Sequence, residues 1–348
     1  MRRSAFWGTS VLFCIVTCLF VIKCSDSTDS DIDTDIELDT IVQQEDEISR
    51  QVLASLEGEI IFSIESRLYL LNLEFGLPAN IIANDISGPA KWSPDGSKIA
   101  YIREKVTPET GWSLTIIDKE GTELNDWKFD LSGRDLLEAI TWSPDGNIIA
   151  VLKSNIVSPS ENYVMHYINI SSGEITRIAL VSGWLEYYNS IAWWPNGNKI
   201  AISSSQITQF SFYGNSKYAS AIWMFETYDK DPHADSNNLI VIKDSVFIRN
   251  LDWSKDGSKL IYSSSSNISF YAIDSAITNN HEIILNDLYD DEKVGLRAPF
   301  WSSNNKQIMY SWITRRNNEM KSNGIYVTDI NGSYNVKVLD EGTIHDWY

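Results

Sequence analysis

The chain has 348 residues, is 43% hydrophobic, carries a net charge of −19, and is rich in Trp and Tyr, with 13 and 16 copies. That length suits one large domain or two ordinary ones, with ample apolar material for a core. The acidic balance argues against DNA or RNA as a partner, which needs a basic footprint. The three cysteines, Cys14, Cys18 and Cys24, leave the rest of the chain without a disulfide, a thiol nucleophile or a cysteine metal site.

Residues 1–24 read as a leader. Arg2 and Arg3 precede an apolar run from Ala5 to Ile22, the charged start and apolar middle of a secretory signal. Three fates stay open. The run is long enough to remain in the bilayer as an anchor, it is cleaved and lost, or it resembles a bacterial lipoprotein leader with Cys24 as the lipidated residue. Val21-Ile22-Lys23-Cys24 has the aliphatic start of a lipobox, although Lys23 is a poor residue before the cysteine. All three fates place the body outside the cytoplasm, with the membrane engaged through the leader alone.

Residues 25–57 begin as a tether. Ser25-Asp26-Ser27-Thr28-Asp29-Ser30-Asp31 cannot bury apolar surface and stays solvated. The Asp-rich stretch lacks the Gly and Glu of a calcium loop, with Thr34 and Thr40 at those positions. Leu38, Ile41, Ile48, Val52 and Leu56 then share one helical face, which predicts a short helix over 40–56, packed on the body or left in the stalk.

From residue 58 the pattern becomes strands. Ile60–Ile64, Leu68–Leu73 and Asn80–Ile82 precede Trp92-Ser93-Pro94-Asp95-Gly96. The Trp motif returns at Trp142, Trp193 and Trp253 and fades at Trp301, with spacings of 50, 51, 60 and 48 residues. Each copy is followed by an apolar run such as Ile99-Ala100-Tyr101-Ile102, then by a further strand such as Leu114–Asp118. Such a period marks a repeat architecture. The motif is turn chemistry: Pro presets φ, Asp accepts from the following backbone, and Gly takes the left-handed position. The Trp reads as core, wedged between neighbouring sheets.

Trp-Ser-Pro-Asp-Gly-x-Lys-Ile-Ala, with a downstream Ile-Tyr-Val-x-Asp-x-x-Gly at Ile325–Gly332, resembles the repeat of the TolB family of β-propellers and its WD-type relatives. The resemblance covers 58–348. It implies an all-β fold of four-stranded blades around a central channel. The five Trp motifs open five blades. Trp347 supplies a sixth innermost strand with nothing after it, and residues 60–82 supply three strands with no innermost strand before them. These halves predict a six-bladed ring closed by pairing of the C-terminal strand with the N-terminal ones, which also hides sheet edges.

The Pro-Asp-Gly turns make one face of such a ring short and stereotyped, so function is expected in the variable loops of the other. The fourth blade stands out there. Trp184, Tyr187 and Tyr188 precede its innermost strand, and Phe210, Phe212, Tyr213 and Tyr218 occupy its next long loop. These seven aromatics are the expected partner-binding residues, or else they pack on one another. Arg134, Arg297, Arg315 and Arg316 belong to the same face, while Asp229–Asp235, with His233, belongs to the opposite one and has ligand types that suit a cation. No catalytic residue, metal or cofactor is assigned: Gly-x-Ser-x-Gly, His-Glu-x-x-His and the P-loop are missing. Prolyl-oligopeptidase-type enzymes share the propeller but need a further hydrolase domain. The sequence thus predicts a monomeric, membrane-tethered scaffold of the cell envelope that binds a protein, peptide or glycan. The alternative is a lyase or hydrolase working on a glycan or small ester at the channel, which would need ionisable groups converging on the axis.

Overall fold

The computed structural model describes residues 47–75, 78–105, 111–129, 135–155, 163–180, 186–209, 217–244, 248–264, 267–272, 281–283, 294–316 and 319–348. The leader with Cys24, and the tether up to residue 46, lie outside them. Among the described residues no helix is long and apolar enough to cross a membrane.

Helix α1 (Glu47–Ala54) starts with Glu47 in its first turn, where an acid favours the helix dipole. It buries Val52, and Leu56 just beyond it, in a cluster with Val336 and Leu339, so the helix packs on the body. Strands follow: β1 (Glu59–Ile64), β2 (Arg67–Asn72), β3 (Asn80–Ala83), then β4 (Ile86–Trp92), β5 (Ile99–Lys105), β6 (Gly111–Ile117) and β7 (Glu123–Phe129). The third group is β8 (Asp135–Trp142), β9 (Ile148–Asn155), β10 (Tyr163–Asn169) and β11 (Ile175–Ala179). The fourth is β12 (Glu186–Trp193), β13 (Lys199–Gln209), β14 (Lys217–Glu226) and β15 (Leu239–Asp244). Next come β16 (Ile248–Trp253), β17 (Lys259–Ser264), β18 (Asn267–Ala272) and β19 (His281–Ile283), then β20 (Val294–Trp301), β21 (Gln307–Arg316), β22 (Glu319–Asp329) and β23 (Val336–Leu339), and finally β24 (Thr343–Trp347).

Among the described residues these strands form four-stranded antiparallel sheets in chain order, except that β24 joins β1, β2 and β3. The innermost strands β4, β8, β12, β16, β20 and β24 lie against one another in succession, and β24 returns to β4. The fold is an all-β propeller with four-stranded antiparallel blades. The closing pairing sets Ile60 against Trp347 and Ser63 against Thr343. Tyr348 extends it, exchanging backbone hydrogen bonds with Glu59 at 2.7 and 2.8 Å.

Each innermost strand ends in its Trp, and all six indoles are buried, from 1% exposed at Trp301 to 7% at Trp193. They do more than fill space. Trp142 Nε1 donates to the Lys91 carbonyl and Trp253 Nε1 to the Ala192 carbonyl, each 3.2 Å away in the preceding sheet. The serine of the motif fastens the turn. Ser93 Oγ donates to Asp95 at 2.6 Å and accepts from Lys98 N at 2.9 Å. That bond, with the Ser97 amide, holds the Asp95 pKa down at about 2. Ser143, Ser254 and Ser302 repeat the arrangement. Gly96, Gly146 and Gly257 take the left-handed conformation, and Asn305 takes it at φ 59° where Gly is replaced. The third copy departs. Trp194 stands in place of the serine and sends its Nε1 to the Gly257 carbonyl at 2.9 Å, tying one turn to the next.

Candidate functional site

Of the seven aromatics expected to form a binding patch, Trp184, Phe210, Phe212 and Tyr213 lie outside the described residues, and only the backbones of Tyr187 and Tyr218 are described, in β12 and β14. Tyr188 departs from the expectation. It is 1% exposed, packs edge-on against Tyr163 at 5.0 Å, and puts its hydroxyl 3.0 Å from His233 Nε2. It belongs to β12 itself, opposite Ser204, so it faces the neighbouring sheet and not solvent. Arg134 lies outside the described residues, and Arg297, Arg315 and Arg316 are described as backbone in β20 and β21.

Asp229–Asp235 does not stay on the opposite face as a cation loop. The connection from β14 to β15 folds back along the blade. Tyr228 lies on the Tyr167 ring at 4.4 Å, and its N–H donates to the Tyr167 hydroxyl at 3.2 Å. His233 meets the Trp223 ring at 4.3 Å. Its imidazole is thereby engaged by Tyr188 and Trp223. Among the described residues no three His, Cys, Asp or Glu side chains gather to hold a metal.

Ionisable groups do converge at the axis. The residue before each Trp heads inward at the end of its innermost strand. Lys91 of β4 puts Nζ 3.1 Å from Asp252 Oδ1 of β16 and 3.3 Å from Asp346 Oδ1 of β24. It also lies over the Phe300 ring of β20, 4.2 Å from the centroid. The remaining carboxylate oxygens are taken by backbone donors: Trp301 N reaches Asp252 Oδ2 at 3.0 Å, and Trp92 N reaches Asp346 Oδ2 at 2.8 Å. Thr141 plays the same part for Trp193 N, at 3.0 Å. One lysine and two aspartates therefore clip four innermost strands together across the ring. Side-chain exposure is 17% for Lys91, 18% for Asp252 and 14% for Asp346.

Burial would lower the Lys91 pKa, but the attraction of Asp252 and Asp346 outweighs it and the net shift is upward. The Asp252 pKa is raised, chiefly by desolvation, with repulsion from Asp346 adding to it and Lys91 offsetting part. His345, next to Asp346, is pushed down to about 4 by burial and by the Lys91 charge. Its Nε2 lies 2.8 Å from Ser63 Oγ. Each carboxylate oxygen of this cluster already accepts a hydrogen bond. The sequence signal was present: Ala90-Lys91-Trp92, Leu251-Asp252-Trp253 and His345-Asp346-Trp347 each put a charge into an otherwise apolar strand end.

No protein-family model matches the chain, and no curated protein matches it. Among solved structures, it is similar to two variants of the Synechocystis apocarotenoid oxygenase, each at 9% identity and TM-score 0.50. These alignments cover 84% and 83% of this chain and 73% of that one. A structure described as a TolB from Agrobacterium tumefaciens aligns at 15% identity and TM-score 0.42, over 82% of this chain and 79% of its own. At 9% identity the likeness to the oxygenase reaches the fold and not the chemistry.

Proposed function

We propose that the chain is a TolB-like, six-bladed propeller, held outside the cytoplasm by its leader, that serves the cell envelope as a monomeric scaffold binding a protein, peptide or glycan. The observation that carries this reading is the state of the axial carboxylates. A lyase or hydrolase at the channel needs an acid or base with a lone pair or proton to give. At Asp252 and Asp346 every oxygen already accepts from Lys91 or from a tryptophan amide. The clip reads as architecture, which leaves recognition to the loops, above all those carrying Trp184 and Tyr213. The charged start and apolar run of the leader, with Cys24 ahead of an acidic tether, support the membrane tether.

The test is capture of envelope components by the chain without its leader, compared with its Trp184→Ala/Tyr213→Ala variant. Recovery of a partner that drops several-fold in the variant supports the aromatic face. Equal recovery by both proteins removes it. Turnover of a glycan or ester that disappears in Asp252→Asn would replace the scaffold reading with the enzymatic one. For the tether, Cys24→Ser should release the protein from the membrane fraction if the cysteine is lipidated, whereas unchanged fractionation points to an uncleaved anchor.

A further inference from the structure

An asparagine followed by glycine loses its amide without an enzyme wherever the backbone lets it, because a glycine nitrogen has no side chain to shield it. The chain holds three such pairs: Asn196-Gly197, Asn323-Gly324 and Asn331-Gly332. By sequence they are alike. The reaction needs the glycine nitrogen to reach the asparagine Cγ. The side-chain amide and the peptide that follows it must therefore be free to turn, and the fold treats the three pairs very differently in this respect.

Asn196-Gly197 is pinned from both sides. Asn196 Nδ2 donates to the Asp256 carbonyl at 2.7 Å, and the Gly197 carbonyl accepts from Trp193 Nε1 at 3.1 Å. Asn323-Gly324 lies within β22, between β21 and β23. Asn323 is the extra residue of a bulge there, a register slip like the one between Leu137 and Ala139 of β8. Gly324 is buried opposite Trp312, donates its N–H to Ser322 Oγ at 3.3 Å, and has the Leu339 carbonyl pressed against it. Asn331-Gly332 occupies the turn from β22 to β23. Asn331 is exposed, and its side-chain amide has no hydrogen-bond partner among the described residues. The Asp329 carboxylate accepts from Asn331 N at 3.1 Å and Ser333 N at 2.8 Å, which fixes the turn and leaves that amide alone. Gly332 takes the left-handed conformation at φ 68°, and its N–H reaches the Asp329 carbonyl at 3.1 Å.

We propose that Asn331 is a site of spontaneous deamidation in the folded protein, and that the fold protects Asn196 and Asn323. Local opening costs least in an exposed turn and most within a packed sheet. At Asn331 a single turn bond must open. Gly332 N then attacks Asn331 Cγ and gives up its proton to solvent, while the side-chain nitrogen takes one and leaves as ammonia. The resulting five-membered imide adds one water. Opening at the side-chain carbonyl gives aspartate, and opening at the main-chain carbonyl gives isoaspartate, whose backbone is one CH2 longer. Either product adds a carboxylate beside Asp329. Isoaspartate also lengthens the turn that leads into β23, where Val336 pairs with Val327 and on which α1 packs.

The test ages the full-length chain in detergent at neutral pH, with a parallel sample unfolded in guanidinium chloride. Peptide mapping by mass spectrometry follows the conversion of each asparagine over days, and the unfolded sample supplies the rate set by local sequence alone. The folded-to-unfolded rate ratio at Asn331 should exceed those at Asn196 and Asn323 at least about tenfold, or about 1.4 kcal/mol of barrier. Asn331→Gln should remove the acidic species that accumulates on anion exchange of the folded parent. Equal ratios at the three sites, an unmodified Asn331 in the folded chain, or the same acidic species in Asn331→Gln would each overturn the proposal.

Discussion

Lys91 and Asp252 meet at 3.1 Å although their strands, β4 and β16, are not neighbours in the ring. An ion pair across a ring, unlike one along a sheet, reports on the whole circle. Any loosening of one blade against the next widens the circle and pulls the ammonium from its acids.

Lys91→Met should therefore destabilise the protein by about 3 kcal/mol or more, because two largely buried aspartates lose their counter-charge. Adding Asp252→Asn and Asp346→Asn should recover much of that loss, since the amides keep acceptors for Trp301 N and Trp92 N. Urea midpoints of the single and triple variants check this. A triple variant less stable than Lys91→Met would show that the charges, not their pairing, matter.

Two histidines set a pH window. His166 is pushed down to about 4, first by burial and then by Arg177 and Lys153, and its Nδ1 has no hydrogen-bond partner. His345 is also pushed down to about 4. The folded chain holds both neutral, whereas the unfolded chain protonates them near their ordinary 6.5. Unfolding therefore takes up protons. Their contribution is complete above pH 6.5 and is lost as pH falls toward 4, at up to about 1.4 kcal/mol per pH unit for each histidine. The raised pKa of Asp252 acts in the opposite sense. Denaturation at pH 7, 6 and 5 should show His166→Gln losing less stability on acidification than the parent; an identical slope would exclude His166 from the effect.

Gly96 and Gly146 occupy equivalent turns with φ of 66° and 71°. An alanine at 146 meets nothing closer than Pro94 at 3.9 Å, while at 96 its Cβ would fall 2.2 Å from the Tyr348 ring. Gly146→Ala should cost about 1–2 kcal/mol from backbone strain alone. Gly96→Ala should cost more, because the terminal tyrosine must move, and Gly96→Ala/Tyr348→Ala should fall back toward the cost in a Tyr348→Ala background of the strain alone. Thermal melts of the four variants decide it.

Trp347→Ala should be among the most damaging substitutions, at about 3–5 kcal/mol. The indole is 2% exposed, and its Nε1 donates to the Glu57 carbonyl at 2.9 Å. The loss should appear as a lower urea midpoint together with faster proteolysis of the edge it uncovers at β1.

Much of this architecture was legible before any coordinates. Trp-Ser-Pro-Asp-Gly announces its own turn because its residues act locally: a fixed φ, an acceptor two residues back, a left-handed glycine. The orphan Trp347 and the unpartnered strands at 60–82 declared each other by subtraction. The bulges were not legible, since a slip between Leu137 and Ala139 leaves an ordinary apolar string in the sequence. Nor was the clip. Lys91 and Asp346 stand 255 positions apart, and nothing local pairs them. Tyr188 misled for a like reason: the sequence put it in the loop before the innermost strand, whereas it belongs to β12 and its hydroxyl meets His233, 45 residues on.

The pairing of β24 with β1 sets an order of events for the chain's manufacture. Strand β1 is among the first of the body to leave the ribosome or translocon, and its partner is the last. Through that interval β1 has an open edge, and the ring has neither its closing sheet nor Asp346 for its clip. Contacts so distant in sequence make folding slow and leave intermediates prone to aggregation. Until β24 arrives, the edge of β1 is the part of the body most open to pairing with a neighbouring copy.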